Sequence, residues 1–214
     1  MCCSEVSAID LRGKLITLEG LDFTGKSSVA RRLTQDIERA GFDLVVTEEP
    51  GGTPVGRRAR QLVLDPDHPE MHPLAELLLY MVSRTQHTHE VILPALAEGK
   101  TILTSRYRLS SMAYQGYGRG LSLELIDQLN DAATQGHRAD VTFLIDVPVE
   151  VALGRKRGRG DRIESETVAF YERVRAGYLE LTADDPTVYR IDGTQSINGV
   201  ADEILGHLDP RNAT

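Results

Sequence analysis

The chain has 214 residues, 41% hydrophobic and 26% charged, which is enough for one well-buried domain and short for two. Its 24 Lys and Arg against 32 Asp and Glu leave a net charge of -8; this excludes a general grip on nucleic-acid backbones and allows small phosphates only where cations are concentrated locally. The two cysteines, Cys2 and Cys3, are adjacent and imply no disulfide framework; a reducing, cytoplasmic setting is expected, and no apolar run approaches the ~20 residues of a membrane span.

Residues 1–12 carry Glu5 and Asp10 without a charged-then-apolar signal pattern and are expected to form a flexible leader ahead of a single domain over 13–210. "KLITLEG" (14–20) reads as a buried strand. Residues 26–40 read as a helix, with Val29, Leu33, Ile37 and Ala40 at helical spacing and Gly41 as its stop. "FDLVVTEE" (42–49) is a second strand, closed by a Pro-Gly-Gly turn. Residues 53–64 are helical, Pro66, Pro69 and Pro73 break the chain, and 74–99 form a long helical stretch bent near Pro94. "KTILTSR" (100–106), "DVTFLIDV" (140–147) and "TVYRID" (187–192) are further strands, and 122–135 and 196–208 are helices. This alternation predicts an α/β fold: a parallel sheet with helices on both faces, whose ligands sit beyond the carboxyl ends of the strands.

Gly20-Leu21-Asp22-Phe23-Thr24-Gly25-Lys26-Ser27 fits G-x-x-x-x-G-K-[ST] without a mismatch. Such a loop wraps a polyphosphate with inward backbone N–H groups, and the helix behind it points its positive end at the phosphates. Lys26 reaches the terminal phosphates, the Ser27 hydroxyl is placed to ligate Mg²⁺, and Ser28 completes the ATP-binding stretch. The bland alternative, a glycine-rich strand-to-helix turn, gives no reason for Lys-Ser.

Three classes of phosphate-loop protein compete. A GTP switch needs an Asn-Lys-x-Asp string, and none is present. A hydrolytic ATPase needs a carboxylate to orient water, whereas Asp146 is followed by Val147-Pro148. A phosphotransferase needs a second anion pocket and a mobile cover. "SRYRLSSMAYQGYGRG" (105–120) offers the pocket, with Arg106, Arg108, Arg119, Ser110, Ser111, Gln115 and three tyrosines; the same composition also suits an ordinary polar connection. "GRKRGRGDRIE" (154–164) offers the cover: Arg155, Lys156, Arg157, Arg159 and Arg162 sit between glycines, as in a hinged lid, although a solvated face has the same look.

These stretches, with "EPGGT" (49–53), "SRTQH" (83–87) and "FLIDVPVEVAL" (143–153), resemble the thymidylate kinase family over most of residues 14–192. "AYQGYGRGL" and "DRIE" are more specific than the phosphate loop alone. The resemblance implies transfer of phosphate from ATP to dTMP, a P-loop domain with a five-stranded parallel sheet, Mg²⁺ as cofactor, and a homodimer. It assigns Asp22 to the acceptor sugar, Tyr80 to stacking on thymine, Arg84 to the base, Arg106 to the acceptor phosphate, and Ser110, Ser111, Tyr114 and Gln115 to the nucleoside pocket. Lys26, Arg106 and the lid residues Arg155, Arg157 and Arg159 are the catalytic candidates. Tyr80 and Arg84 share a helix face, as a pyrimidine reader requires; core packing is the other reading of Tyr80. Three positions depart from the family pattern: Ser105 stands where Asp is usual, Glu48 where Arg is usual, and Phe23 where Gly is usual, while the lid is slightly short. They leave open another pyrimidine deoxynucleotide, such as dUMP or a 5-substituted one, as acceptor, or a catalytically weak nucleotide-binding descendant.

Overall fold

A computed structural model describes residues 10–208. Strand β1 (Leu15–Glu19) is buried along its whole length. It lies at the centre of a sheet with β2 (Leu44–Glu48), β3 (Thr101–Ser105), β4 (Val141–Asp146) and β5 (Val188–Asp192), in the order β2-β3-β1-β4-β5. Every pairing is parallel; Leu18 stands opposite Ser105 on one side and Phe143 on the other, and Glu48 is also opposite Ser105. The carboxyl ends of all five strands therefore share one edge, with the order reversing at β1, where a crevice opens.

Nine α-helical segments are present among the described residues: α1 (Lys26–Arg39), α2 (Pro54–Val63), α3 (Pro73–His87), α4 (Leu93–Ala97), α5 (Arg108–Ser111), α6 (Leu123–Thr134), α7 (Val149–Gly154), α8 (Val168–Leu181) and α9 (Ile197–Leu208). One sheet face carries α1 and α9 over Ile16, Leu18, Leu103, Phe143 and Ile191. The other carries α7 and α8, with Phe170, Val174 and Tyr178 packed on Leu144 and Val147. Ile16 and Leu18 face the first layer and Leu15 a separate cluster with Ile92 and Tyr107, the period-two alternation of a strand buried on both sides.

Several expectations need correction. Leu11 is buried in the α1 layer and its carbonyl accepts from Thr101 Oγ1 at 2.8 Å, so the folded unit begins before residue 13; the rest of the expected leader, residues 1–9, and residues 209–210 lie outside the described residues. The 74–99 helix changes pitch ahead of Pro94. A wide π-helical turn, Thr88–Ile92, joins α3 to α4, because Pro94 has no N–H to continue the ordinary ladder. The 105–120 segment, to which the sequence reading gave no helix, contains α5 running into a second π-helical turn, Met112–Gly118. Helices α7 and α8 are absent from the reading of the sequence.

Candidate active site

The phosphate loop leaves β1 through Gly20, at φ +133°, where a Cβ would lie 2.5 Å from the Ile145 carbonyl oxygen. It enters α1 through Gly25, also left-handed at φ +93°. Phe23 is left-handed too, at φ +64°, which explains why glycine suits this position and makes the ring a strained substitute. Asp22, Phe23, Gly25, Lys26, Ser27 and Ser28 line a cavity of about 360 Å³, whereas Gly20, Leu21 and Thr24 of the same loop do not line it. The ammonium of Lys26 donates to the carbonyls of Gly20 (3.1 Å) and Leu21 and to Thr24 Oγ1 at 3.4 Å. Burial, aided by the nearby Arg106 cation, lowers its pKa to about 7 against the pull of Asp22 and Glu19.

Arg106 follows β3 directly and adopts φ +68°, a costly conformation for a non-glycine residue. It is pinned on both sides: its own N–H donates to the Leu18 carbonyl at 2.9 Å, and the next N–H, of Tyr107, donates to Glu19 Oε1 at 2.8 Å. The strained turn aims the guanidinium back across the sheet edge. There it contacts the Asp22 carboxylate and donates to Ser110 Oγ (3.1 Å), the Tyr114 hydroxyl (3.1 Å) and the Gly20 carbonyl (3.2 Å), lying 4.7 Å from the Tyr114 ring centre. Asp22 also accepts from the Tyr114 and Tyr171 hydroxyls at 2.9 and 3.4 Å. Burial would raise its pKa; Arg106 and Lys26 outweigh this and hold it below the usual carboxylate value. Arg106 thus has one carboxylate partner and still borders the cavity.

All eight residues expected to hold the acceptor, Asp22, Tyr80, Arg84, Arg106, Ser110, Ser111, Tyr114 and Gln115, line this same cavity. Arg84 is 2% exposed and mostly committed to protein. It donates to Glu49 Oε2 (2.7 Å), Ser111 Oγ (2.8 Å), Asn130 Oδ1 (2.5 Å) and the Tyr107 carbonyl (2.8 Å), which uses four of its five N–H groups. Glu49 is bridged on its other side by His87 Nδ1 at 2.9 Å.

The lid residues are placed differently. Arg155 donates to the Gly193 carbonyl at 3.1 Å, Arg157 and Arg159 are exposed, and none of the three lines the cavity. Arg162 is buried and donates to the Val63 carbonyl (2.9 Å) and to Glu76 Oε2 (2.6 Å), so it roots the segment. The cavity wall at this side is Asp161, Ile163 and Glu164; burial raises the pKa of both carboxyl groups, and each accepts a backbone N–H from the other.

Sequence reasoning missed several residues here. Arg60, on α2, lines the cavity and lies 3.7 Å from Glu48, so the acidic departure at Glu48 faces a cation. Glu19, fully buried, accepts from Ser110 Oγ (2.5 Å) and the Tyr178 hydroxyl (3.0 Å), the same hydroxyls that border Arg106. Tyr171 and Tyr178 both come from α8. The spacing of Phe170, Tyr171, Val174, Gly177 and Tyr178 was the available signal for that helix.

The residues suit Mg²⁺ better than a metal that needs a protein cage. No cluster of three carboxylate, His or Cys ligands exists among the described residues, and Asp146 is tied by Arg175 and Arg190. Exposed Ser27 borders the cavity, and Mg²⁺ keeps most of its water and takes few protein ligands beside substrate phosphates.

A glycine-rich loop between β1 and α1, on a parallel sheet whose order reverses at that point, defines a phosphate-loop α/β protein. The Thymidylate kinase family model matches residues 18–204. The sequence is 46% identical over 204 residues to a thymidylate kinase of an Exiguobacterium species, covering 94% of this chain and 96% of that one. It is 48% identical to one from Nostoc punctiforme, covering 90% and 95%. The crystal structure of thymidylate kinase from Ehrlichia chaffeensis superposes with a TM-score of 0.77 at 30% identity, covering 91% of this chain and 98% of that chain. The chain belongs to the thymidylate kinase family.

Proposed function

We propose that this protein transfers the terminal phosphoryl group of ATP to dTMP, giving ADP and dTDP. The observation that carries this reading is the single cavity lined both by the phosphate loop, with Lys26 and Ser27, and by the full set of acceptor candidates around Arg106. ATP lies with its phosphates against the loop amides and Lys26, and the acceptor phosphate lies on Arg106. Arg60 adds a second cation on the acceptor side. Ser27 and the phosphates hold Mg²⁺, which supplies charge neutralisation between the nucleotides when bound. Asp22 takes the sugar and steers Arg106. Tyr80, Arg84, Ser111 and Gln115 form the base end. Catalysis is positioning and charge stabilisation, with little covalent work by the protein. Arg155, Arg157 and Arg159 act on closure, because the glycines at 154, 158 and 160 give the segment its hinges and two of its cations already face solvent.

A homodimer belongs to the same proposal. Leu74, Leu78 and Val82 form an exposed apolar stripe on α3 at four-residue spacing, and Val55 and Leu62 are exposed on α2. A single kinase domain and a cytoplasmic setting complete it. No helix among the described residues is long and apolar enough to cross a membrane.

The decisive experiment is a coupled ADP-release assay across the common nucleoside monophosphates, with and without Mg²⁺. Transfer to dTMP above the rest, abolished by Lys26→Ala, is expected. Preference for dUMP would move the acceptor, and ATP binding with no transfer to any acceptor would refute the reading.

A further inference from the structure

Glu76 lies in the first turn of α3, one turn before Tyr80, and is 0% exposed. Three side chains donate to it: Gln115 Nε2 at 2.8 Å, Arg119 Nε at 3.1 and 3.2 Å, and Arg162 Nη2 at 2.6 Å. A carboxylate facing two guanidinium groups accepts and does not donate. The nitrogen of the Gln115 amide must therefore turn toward Glu76, and its oxygen is left over. Gln115 is 2% exposed and lines the cavity. No hydrogen bond reaches its Oε1 among the described residues, and that atom is not sealed inside the protein, so it opens on the cavity.

We propose that Glu76 is a positioning residue: it fixes the Gln115 amide with its oxygen toward the acceptor base, and so selects a base with a ring N–H over one with a bare ring nitrogen. The step rests on the proposed dTMP reading. Thymine and uracil carry N3–H between two carbonyls, which satisfies the waiting oxygen. Cytosine presents a lone pair at N3, and two acceptors then face each other with neither paired. Sites built around such a hydrogen bond discriminate strongly, because the wrong ligand strands a buried polar atom. Without Glu76 the amide could turn over and offer its nitrogen to cytosine at no cost in shape. Arg119 and Arg162 have a part in this: they give Glu76 its acceptor character and would themselves be left facing a neutral group if it were replaced.

The test is the ratio of kcat/KM for dTMP over dCMP in wild type, Glu76→Gln and Gln115→Leu, with a melting curve for each. Wild type is expected to prefer dTMP. Both variants are expected to lower that preference about tenfold or more, through a relative gain for dCMP in Glu76→Gln. A purely structural role would depress both acceptors in parallel and leave the ratio unchanged. An unchanged ratio in a folded Glu76→Gln protein, or in Gln115→Leu, overturns the proposal; if Glu76→Gln does not fold, Gln115→Leu decides alone. Wild type that transfers to no pyrimidine monophosphate refutes the acceptor reading itself, an outcome distinct from transfer with an unmoved ratio.

Discussion

In the free protein Lys26 is held by oxygens of its own loop, with its pKa lowered to about 7, chiefly by burial and then by Arg106. The folded value lies below the ordinary 10.5, so the unfolded chain binds more protons between those limits. This group's contribution to stability is therefore fully present above about 10.5 and is lost as pH falls through about 7. ATP reverses the local preference: its phosphates favour the cation, so donor binding at pH 8 draws a proton onto Lys26. Calorimetry in two buffers of different ionisation heat should register uptake of roughly one proton, and zero uptake would show that Lys26 already carries its proton in the free protein. Ser105 is the second residue to test. It lines the cavity where the family pattern has a carboxylate. Ser105→Asp should raise Mg²⁺-dependent turnover, by up to ~10–100-fold if the missing group is an outer-shell partner of the metal. A neutral or harmful result would show that this pocket works without one.

At the level of elements, the phosphate loop was legible because its chemistry fixes both spacing and residue type between an apolar strand and an amphipathic helix. The central strands β1, β3 and β4 were legible for a related reason, since a strand buried on both faces is a short apolar run; the edge strands β2 and β5 are only partly buried and were legible as short runs rich in β-branched residues. Helix α5 and the turn after it were not, since Ser110, Ser111 and Gln115 point inward to a polar cavity and erase the polar-out pattern on which helix recognition relies. The same blindness hid Glu19, Glu49 and Glu76, buried carboxylates whose partners lie far away in sequence. The cover segment was legible as charge but not as placement: Arg162 is a root, while Arg157 and Arg159 are free ends. Replacing both free ends, Arg157→Ala with Arg159→Ala, should lower kcat by about tenfold or more and leave the melting temperature within about a degree, because neither is buried. Unchanged kcat would remove these two residues from the transition state.

For the whole molecule, α3 presents two different flanks. Leu74, Leu78 and Val82 look outward, while Glu76, Tyr80 and Arg84 serve the cavity. Leu78→Glu places a charge in the middle of the outward stripe. Sedimentation should then report a monomer where the parent chain sediments as a pair, and a parent that is itself monomeric would dispose of the assembly proposal. The turn at Met112–Gly118 carries a further consequence. Its hydrogen bonds close over one residue more than an ordinary helical turn, so it holds an additional residue without lengthening the path from β3 to α6. Losing a single amino acid there would let the coil tighten to regular pitch and would turn Tyr114 and Gln115, which line the chamber, away from their present directions. An engineer seeking a new acceptor thus has a place where subtraction, rather than substitution, redraws the wall.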